Sequence, residues 1–365
     1  MEQHCIGGPD GGIAMTTDII FHEMFTKHVL QPGHPESPER LVIALKYIRE
    51  AGLLDAGNVN LVTAESANLS AIQHLHHKSY LDQVREKSEK GGGFFTLDTS
   101  VNEYTYEAAL LAAGGGIMAV DRIVEGVSTN AYVLCRPPGH HAETSRAFGF
   151  CFINNIAVAA HHLTSECGIE RVLILDYDAH HGNGTQDAFY DRDDVLYIGM
   201  HQDGRTLFPG SGFPDEIGSG KGRGYNVNLA MYPGAGDVSY QLAFEKVIEP
   251  LADSFVPEIV LVSAGFDAHF EDPLTNLGLT SAGLAMINSK MKNIADRHSK
   301  GRIATFLEGG YNLTAMGRGS LNLVEVMAGS NITQYNDRHK ESKTCTEYNE
   351  RLIEVLKGSI LKMHL

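Results

Sequence analysis

Arg171-Val-Leu-Ile-Leu-Asp176-Tyr-Asp178-Ala-His180-His181-Gly-Asn183-Gly-Thr185 decides how the chain is read. Val172 to Leu175 form an unbroken apolar run, the mark of a strand buried on both faces of a parallel sheet. The run then breaks into acids and histidines. Side chains alternate along extended chain, so Asp176, Asp178 and His180 leave the strand on one side. A carboxylate and an imidazole at that spacing can close on a single cation, and Gly182 and Gly184 let the backbone turn tightly afterwards. One Asp-x-His at a strand end is commonly just a polar exit; the doubled acids and doubled histidines point to a metal.

Comparable apolar runs occur at 132–135, 195–199, 259–263 and 303–307, with helical patterns at 154–166 and 240–255 between some of them. Strand alternating with helix predicts an α/β fold on a parallel sheet. Each run is followed at once by polar, Gly-rich sequence: Arg136-Pro-Pro-Gly-His140-His141, the 176–183 segment, His201, Gly265-Phe-Asp267 and Glu308-Gly-Gly-Tyr311. Ligands in open α/β sheets bind beyond the carboxyl ends of the strands, so strand ends loaded in this way predict one site.

The remaining chain frames that sheet. Residues 18–21 read as a first strand, and the turn-rich 31–40 stretch leads into a helix beginning at Glu39. Helical sequence is expected over 68–90, ending at a flexible Gly91-Gly92-Gly93. A longer helix is expected over 104–125, where Gly114-Gly115-Gly116 implies close packing. Past Gly319 the alternation fades into a surface loop over 329–346 and a final amphipathic helix over 347–362. Residues 1–16 read as a flexible leader and 17–365 as a single domain.

Composition narrows the function. The 365 residues are 43% hydrophobic, yet none of the runs reaches the roughly 20 apolar residues that span a bilayer, and the amino terminus lacks a signal-peptide pattern. Five scattered cysteines without C-x-x-C suit reduced thiols in a cytoplasmic protein and exclude a zinc ribbon. A net charge of −16 argues against direct nucleic-acid binding. Gly218-Ser-Gly-Lys-Gly-Arg-Gly224 resembles a phosphate loop only superficially, because it precedes a strand-like segment and lacks G-x-x-x-x-G-K-[ST].

Asp178, His180 and Asp267 form the candidate ligand set: one nitrogen and two carboxylates, leaving positions for water and substrate as a catalytic Zn2+ requires. The same set accepts Fe2+, Co2+ or Mn2+. His140 and His141, on a loop stiffened by Pro137-Pro138, suit acid/base work, with Asp176 and Asn183 as candidate orienting partners. His161-His162 reads instead as a surface pair on a helix. Tyr311, after a mobile Gly309-Gly310, can donate its hydroxyl to a developing oxyanion.

Arg136-Pro-Pro-Gly-His-His-Ala142, Gly149-Phe-Cys-Phe-Ile-Asn154, Asp176-Tyr-Asp-Ala-His-His-Gly-Asn-Gly-Thr-Gln186, Ser263-Ala-Gly-Phe-Asp267 and Leu307-Glu-Gly-Gly-Tyr-Asn312 together resemble the zinc-dependent histone deacetylase family. The likeness runs from about His22 to Asn312, is strongest to the class II branch with its bacterial and archaeal relatives, and implies the three-layer arginase/deacetylase fold on an eight-stranded parallel sheet. It implies Zn2+ at Asp178, His180 and Asp267, His141 as general base and acid with His140 as electrostatic partner, and Tyr311 polarising the amide carbonyl. It further implies Phe150 and Phe208 as tunnel walls, the Gly149 carbonyl as an acceptor for substrate N–H, and a structural K+ near the backbone of Asp176, Asp178 and His180. Asn183 stands where class I members carry Asp, so His141 should have the lower pKa of an imidazole without a charged partner.

The expected activity is removal of acetyl or a related acyl group from lysine side chains, with a small acetylated amine such as an acetylpolyamine as the alternative substrate. A non-catalytic acyl-lysine reader is disfavoured by the intact set of ligands, base and tyrosine. Leu274 falls where the family overlooks the tunnel mouth, and an apolar residue there suits an uncharged lysine stem better than a polyamine. Glu271 and Asp272 lie near enough in sequence to point inward instead.

Overall fold

The computed structural model describes residues 15–364, so most of the expected leader, 1–14, lies outside the described residues. The strands are β1 (Thr17–Phe21), β2 (Val59–Thr63), β3 (Gly92–Phe94), β4 (Ser100–Asn102), β5 (Asn130–Val133), β6 (Val172–Asp176), β7 (Val195–Gln202), β8 (Asn226–Met231), β9 (Ile259–Ala264) and β10 (Ile303–Leu307). Eight of them form one parallel sheet in the order β2-β1-β5-β10-β9-β6-β7-β8, while β3 and β4 pair as a small hairpin. Every residue of β1 and of β5 to β10 is buried, as strands covered by helices on both faces must be. This is the eight-stranded parallel sheet that the resemblance implies.

The helices are α1 (Glu39–Glu50), α2 (Leu69–Gln73), α3 (Lys78–Glu89), α4 (Thr105–Val124), α5 (Asn155–Ser165), α6 (Asn183–Phe189), α7 (Asp237–Ala243), α8 (Glu249–Phe255), α9 (Ser281–His298), α10 (Leu313–Met327) and α11 (Lys343–Leu356). Three helices that leave the site-bearing loops start on side-chain caps. Asn154 accepts the Ala157 N–H at α5, Thr280 the Gly283 N–H at α9, and Asn312 the Thr314 and Ala315 N–H groups at α10. In α4 the three glycines do bring backbones together: a Cβ on Gly114 would overlap the Glu65 carbonyl, and one on Gly116 the Phe306 ring.

Several expectations shift. The 68–90 segment is two helices, broken at residues 74–77 because His76 turns inward. Its Nε2 accepts the Asn154 N–H at 3.0 Å, its Nδ1 donates to the Glu143 carbonyl at 3.0 Å, and the His77 N–H reaches the Thr144 carbonyl. Gly92 and Gly93 are hairpin residues rather than a loose end. β5 begins two residues before the apolar run suggested, and β7 runs on to Gln202 because it stays paired with β8, so His201 lies within the strand. The fading pattern past Gly319 is α10, whose Gly317 and Gly319 lie against the Tyr47 and Phe266 rings. Residues 237–255 form one helical rod with a widened turn at Phe244–Ile248, just ahead of Pro250, which has no N–H to donate.

The topology positions the chemistry. β5, β10, β9 and β6 are neighbours in mid-sheet although far apart in sequence. Their carboxyl ends release the loops that carry His140 and His141, Tyr311, Asp267, and Asp178 with His180.

Candidate active site

β6 ends on Asp176, and the turn that follows is knotted to its neighbours through carboxylates. Asp178 accepts the His180 N–H on Oδ1 at 2.8 Å and the Gly309 N–H on Oδ2 at 2.7 Å. Asp267 accepts the Ala179 N–H at 2.9 Å. His180 Nδ1 then lies 3.1 Å from Asp178 Oδ1 and 3.0 Å from Asp267 Oδ2, and the three ligand atoms sit within 4.8 Å of one another. All three residues are buried or nearly so, which leaves two carboxylates facing one imidazole. Burial would raise the Asp178 carboxyl, but His140 and His180 hold it far below the usual range. Burial alone would lower His180, yet Asp178 and Asp267 hold it up at about 10. A divalent cation meets this excess of buried negative charge, and the O, N, O donor set fits a catalytic divalent metal with positions left open.

The paired histidines have different partners. His140 Nδ1 lies 2.9 Å from Asp176 Oδ2, and this carboxylate with Asp178 raises His140 to about 10 against the effect of burial. His141 Nδ1 lies 2.7 Å from the neutral Asn183 Oδ1; burial first, and then the charges of His140 and His180, push His141 well below the ordinary value. Asn183 is itself oriented by Glu143, which accepts from Nδ2 at 2.8 Å. With Nδ1–H donating to Asn183, the His141 Nε2 lone pair is free toward the cavity.

That cavity, about 220 Å³, is lined by Asp98, His141, Gly149, Phe150, His180, Leu207, Phe208, Leu274 and Tyr311. Gly149 (φ 53°) lies so close to His141 that a Cβ would overlap its ring, and Phe150 follows it in the left-handed region with its N–H on Thr99. The Phe208 ring is 5.2 Å from His141, and the Phe150 ring is 6.1 Å from Tyr311. Phe208 and Leu274 are more than a third exposed, as rim residues would be. The glycines before Tyr311 are pinned, not mobile: a Cβ on Gly309 would overlap Asp267, and the Gly310 carbonyl accepts Arg40 Nε at 2.7 Å. Asp272 does turn inward, but onto backbone, accepting the Tyr311 and Asn312 N–H groups at 2.8 and 3.2 Å; Glu271 is exposed.

The roles of some supporting residues escaped the sequence reading. Glu308, buried and pushed up to about 7 by its burial, accepts the Gly139 and His140 N–H groups at 2.7 and 3.1 Å and so sets the histidine loop. Its only signal was its place one residue after a buried strand. Glu36 bridges the guanidiniums of Arg40 and Arg136, all fully buried, beneath the 31–40 loop. Asp98 on the cavity wall follows the short Phe94-Phe95-Thr96-Leu97 stretch, which lies outside the strand–helix alternation, so nothing flagged it.

Comparison with known proteins places the chain in a family. Residues 34–327 match the histone deacetylase domain. The chain is 40% identical over 320 residues to a probable deacetylase of Archaeoglobus fulgidus, covering 87% of this chain and 88% of that one. It is 38% identical over 297 residues to the histone deacetylase-like amidohydrolase of Pseudomonas aeruginosa, covering 81% and 77%. The crystal structure of the HDA15 HD domain superposes with a TM-score of 0.86 at 34% identity, over 96% of this chain and 97% of that one. Sheet order, strand-end loops and sequence thus lead to one place: the chain belongs to the histone deacetylase family.

Proposed function

We propose that the protein is a zinc-dependent amidohydrolase that removes acetyl, or a related acyl group, from acyl-lysine side chains. The observation that carries this is the His141 Nε2 lone pair directed into a narrow cavity beside Asp178, His180 and Asp267. Those three residues would hold the metal, Zn2+ with Fe2+ or Co2+ as substitutes, and K+ would lie near the backbone of Asp176, Asp178 and His180. When bound, the divalent ion supplies Lewis acidity toward the amide carbonyl and its attacking water. His141 takes the water proton on Nε2, while Asn183 holds the ring through Nδ1. The Tyr311 hydroxyl, kept protonated by burial, donates to the developing oxyanion. His141 then returns its proton to the leaving amine. Protonated His140, held by Asp176, stabilises charge beside the reacting carbon. Phe150 and Phe208 flank an uncharged four-carbon stem, and the Gly149 carbonyl accepts the substrate N–H.

A second reading, an acetylpolyamine as substrate, is favoured by one feature, the exposed Asp98 carboxylate on the cavity wall. It can accept a peptide N–H or face a second ammonium. Leu274 on the same rim offers no charge to a polyamine, which supports the acyl-lysine reading.

The test compares kcat/KM for an acetyl-lysine peptide and N8-acetylspermidine in wild type, Asp98→Asn and Leu274→Glu, with metal content measured in wild type and Asp267→Ala. The expected result is preference for the peptide, a gain for the polyamine in Leu274→Glu, and loss of both metal and activity in Asp267→Ala. A polyamine preference in wild type would overturn the substrate, and full activity in Asp267→Ala would overturn the metal chemistry. Scattered thiols, with the four described cysteines unpaired, support a cytoplasmic setting, and no described helix is long and apolar enough to cross a membrane.

A further inference from the structure

We propose that Asp121, His162 and Cys167 form a second transition-metal site, suited to Zn2+ and separate from the cluster at Asp178. His162 Nε2 lies 2.7 Å from Asp121 Oδ1, and Cys167 Sγ lies 3.6 Å from the same oxygen. The three ligand atoms fall within 4.8 Å of one another. Two protons thus converge on a single carboxylate oxygen, the arrangement a cation replaces. A tetrahedral Zn2+ site with bonds of about 2.0–2.3 Å has ligand–ligand edges of roughly 3.3–3.6 Å, within a small side-chain adjustment of this geometry.

The backbone favours a cation here as well. Asp121 occupies the last turn of α4 and His162 the last turn of α5, with Cys167 just beyond it, so two helix carboxyl ends direct partial negative charge at one point. Glu125 and Glu166 add to that field, and Arg122, which lines the adjoining cavity, is paired with Asp18 at 2.8 Å.

The site is reachable. The Asp121 and His162 side chains are 38% and 19% exposed, and a cavity of about 370 Å³ running from Glu65 and Asn68 past both gives room for water as a fourth ligand. A mixed oxygen, nitrogen and sulfur donor set selects Zn2+ or Co2+ over Mg2+ or Ca2+. On binding, the Cys167 proton leaves to solvent, and the neutral His162 imidazole shifts its single proton from Nε2 to Nδ1 by exchange with solvent, freeing the Nε2 lone pair. The ion would clamp α4 to α5, and the His161-His162 pair that reads as a surface accident gains a purpose on one side.

The test uses the full chain loaded with Zn2+, dialysed against citrate and analysed for metal, in wild type, Cys167→Ser, His162→Gln and Asp267→Ala. Two ions per chain in wild type and one in Cys167→Ser and in His162→Gln are expected. Loading with Co2+ should give a near-ultraviolet thiolate-to-metal charge-transfer band that disappears in Cys167→Ser and persists in Asp267→Ala. No such band in wild type, or wild-type zinc content in Cys167→Ser, overturns the second site; so does loss of the second ion to citrate, which would mark adventitious surface binding. Loss of metal in Asp267→Ala alone bears only on the catalytic centre.

Discussion

The two ends of the central sheet differ in a way that volume does not capture. At the amino end, a cavity of about 430 Å³ opens between Met15, Gly126, Ser128, Lys292, Lys300 and Arg302. Glu125, Asp296 and Lys300 there are exposed and Arg302 is half-buried, while the buried Lys292 is satisfied by Asp296 at 2.5 Å. At the carboxyl end the cavity is half that size, yet Asp176, Asp178, Asp267 and Glu308 are all buried there beside three histidines. Burying charge is costly unless something repays it, and at this end the partners are other site residues and backbone N–H groups. A site is marked by costly charge converging on a small space.

The largest effect that sharpens the contrast should come from Tyr311→Phe. In the proposed reaction the hydroxyl acts on the transition state, so kcat should fall by about 10²–10³ with little change in KM. Steady-state kinetics on an acetyl-lysine peptide measure this, and a variant within about twofold of wild type would remove Tyr311 from the chemistry.

A smaller effect tests the neutral partner of His141. In Asn183→Asp combined with Glu143→Gln, which removes the neighbouring like charge, a carboxylate would face Nδ1 and stabilise the imidazolium. The His141 pKa should rise, and the acidic limb of the kcat/KM profile should move to higher pH, lowering activity at neutral pH. An unmoved limb would mean that His141 is not the group whose deprotonation the rate reports.

The smallest effect is expected at the other end. Lys300→Ala should leave kcat/KM within about twofold, as for a surface change remote from the reacting groups. A tenfold fall would break the contrast and give the amino-end cavity a share in function.

What the sequence revealed follows from where signal concentrates. Ile259 to Ala264 and Ile303 to Leu307 are buried on both faces, so their apolar runs announce them and the polar residues beyond stand out. β2 is an edge strand in which only Val59 is buried and even Leu61 is exposed, so its short sequence lacks an unbroken apolar run, and it went unnoticed as a strand. His76 and Glu308 act through backbone groups brought near by long-range packing, with 78 residues between His76 and its partner Asn154 and 169 between Glu308 and Gly139. No local pattern encodes such a pairing. Asp98 lines the cavity from a loop between the two short hairpin strands, away from the main sheet. Motif residues such as His140, His141, Asp178, His180 and Asp267 were visible because each leaves a strand whose end is itself legible.

Asp272 has a mechanical consequence. One carboxylate takes N–H groups from Tyr311 and Asn312, and its Oδ1 takes that of Leu274, while Asp267 at the start of the same loop is among the proposed ligands. The segment from Asp267 to Leu274 and the turn at Tyr311 are therefore riveted together. A bulky inhibitor cap that levers Leu274 outward must drag the tyrosine with it, so tight binding at the rim would be slow to form and slow to release.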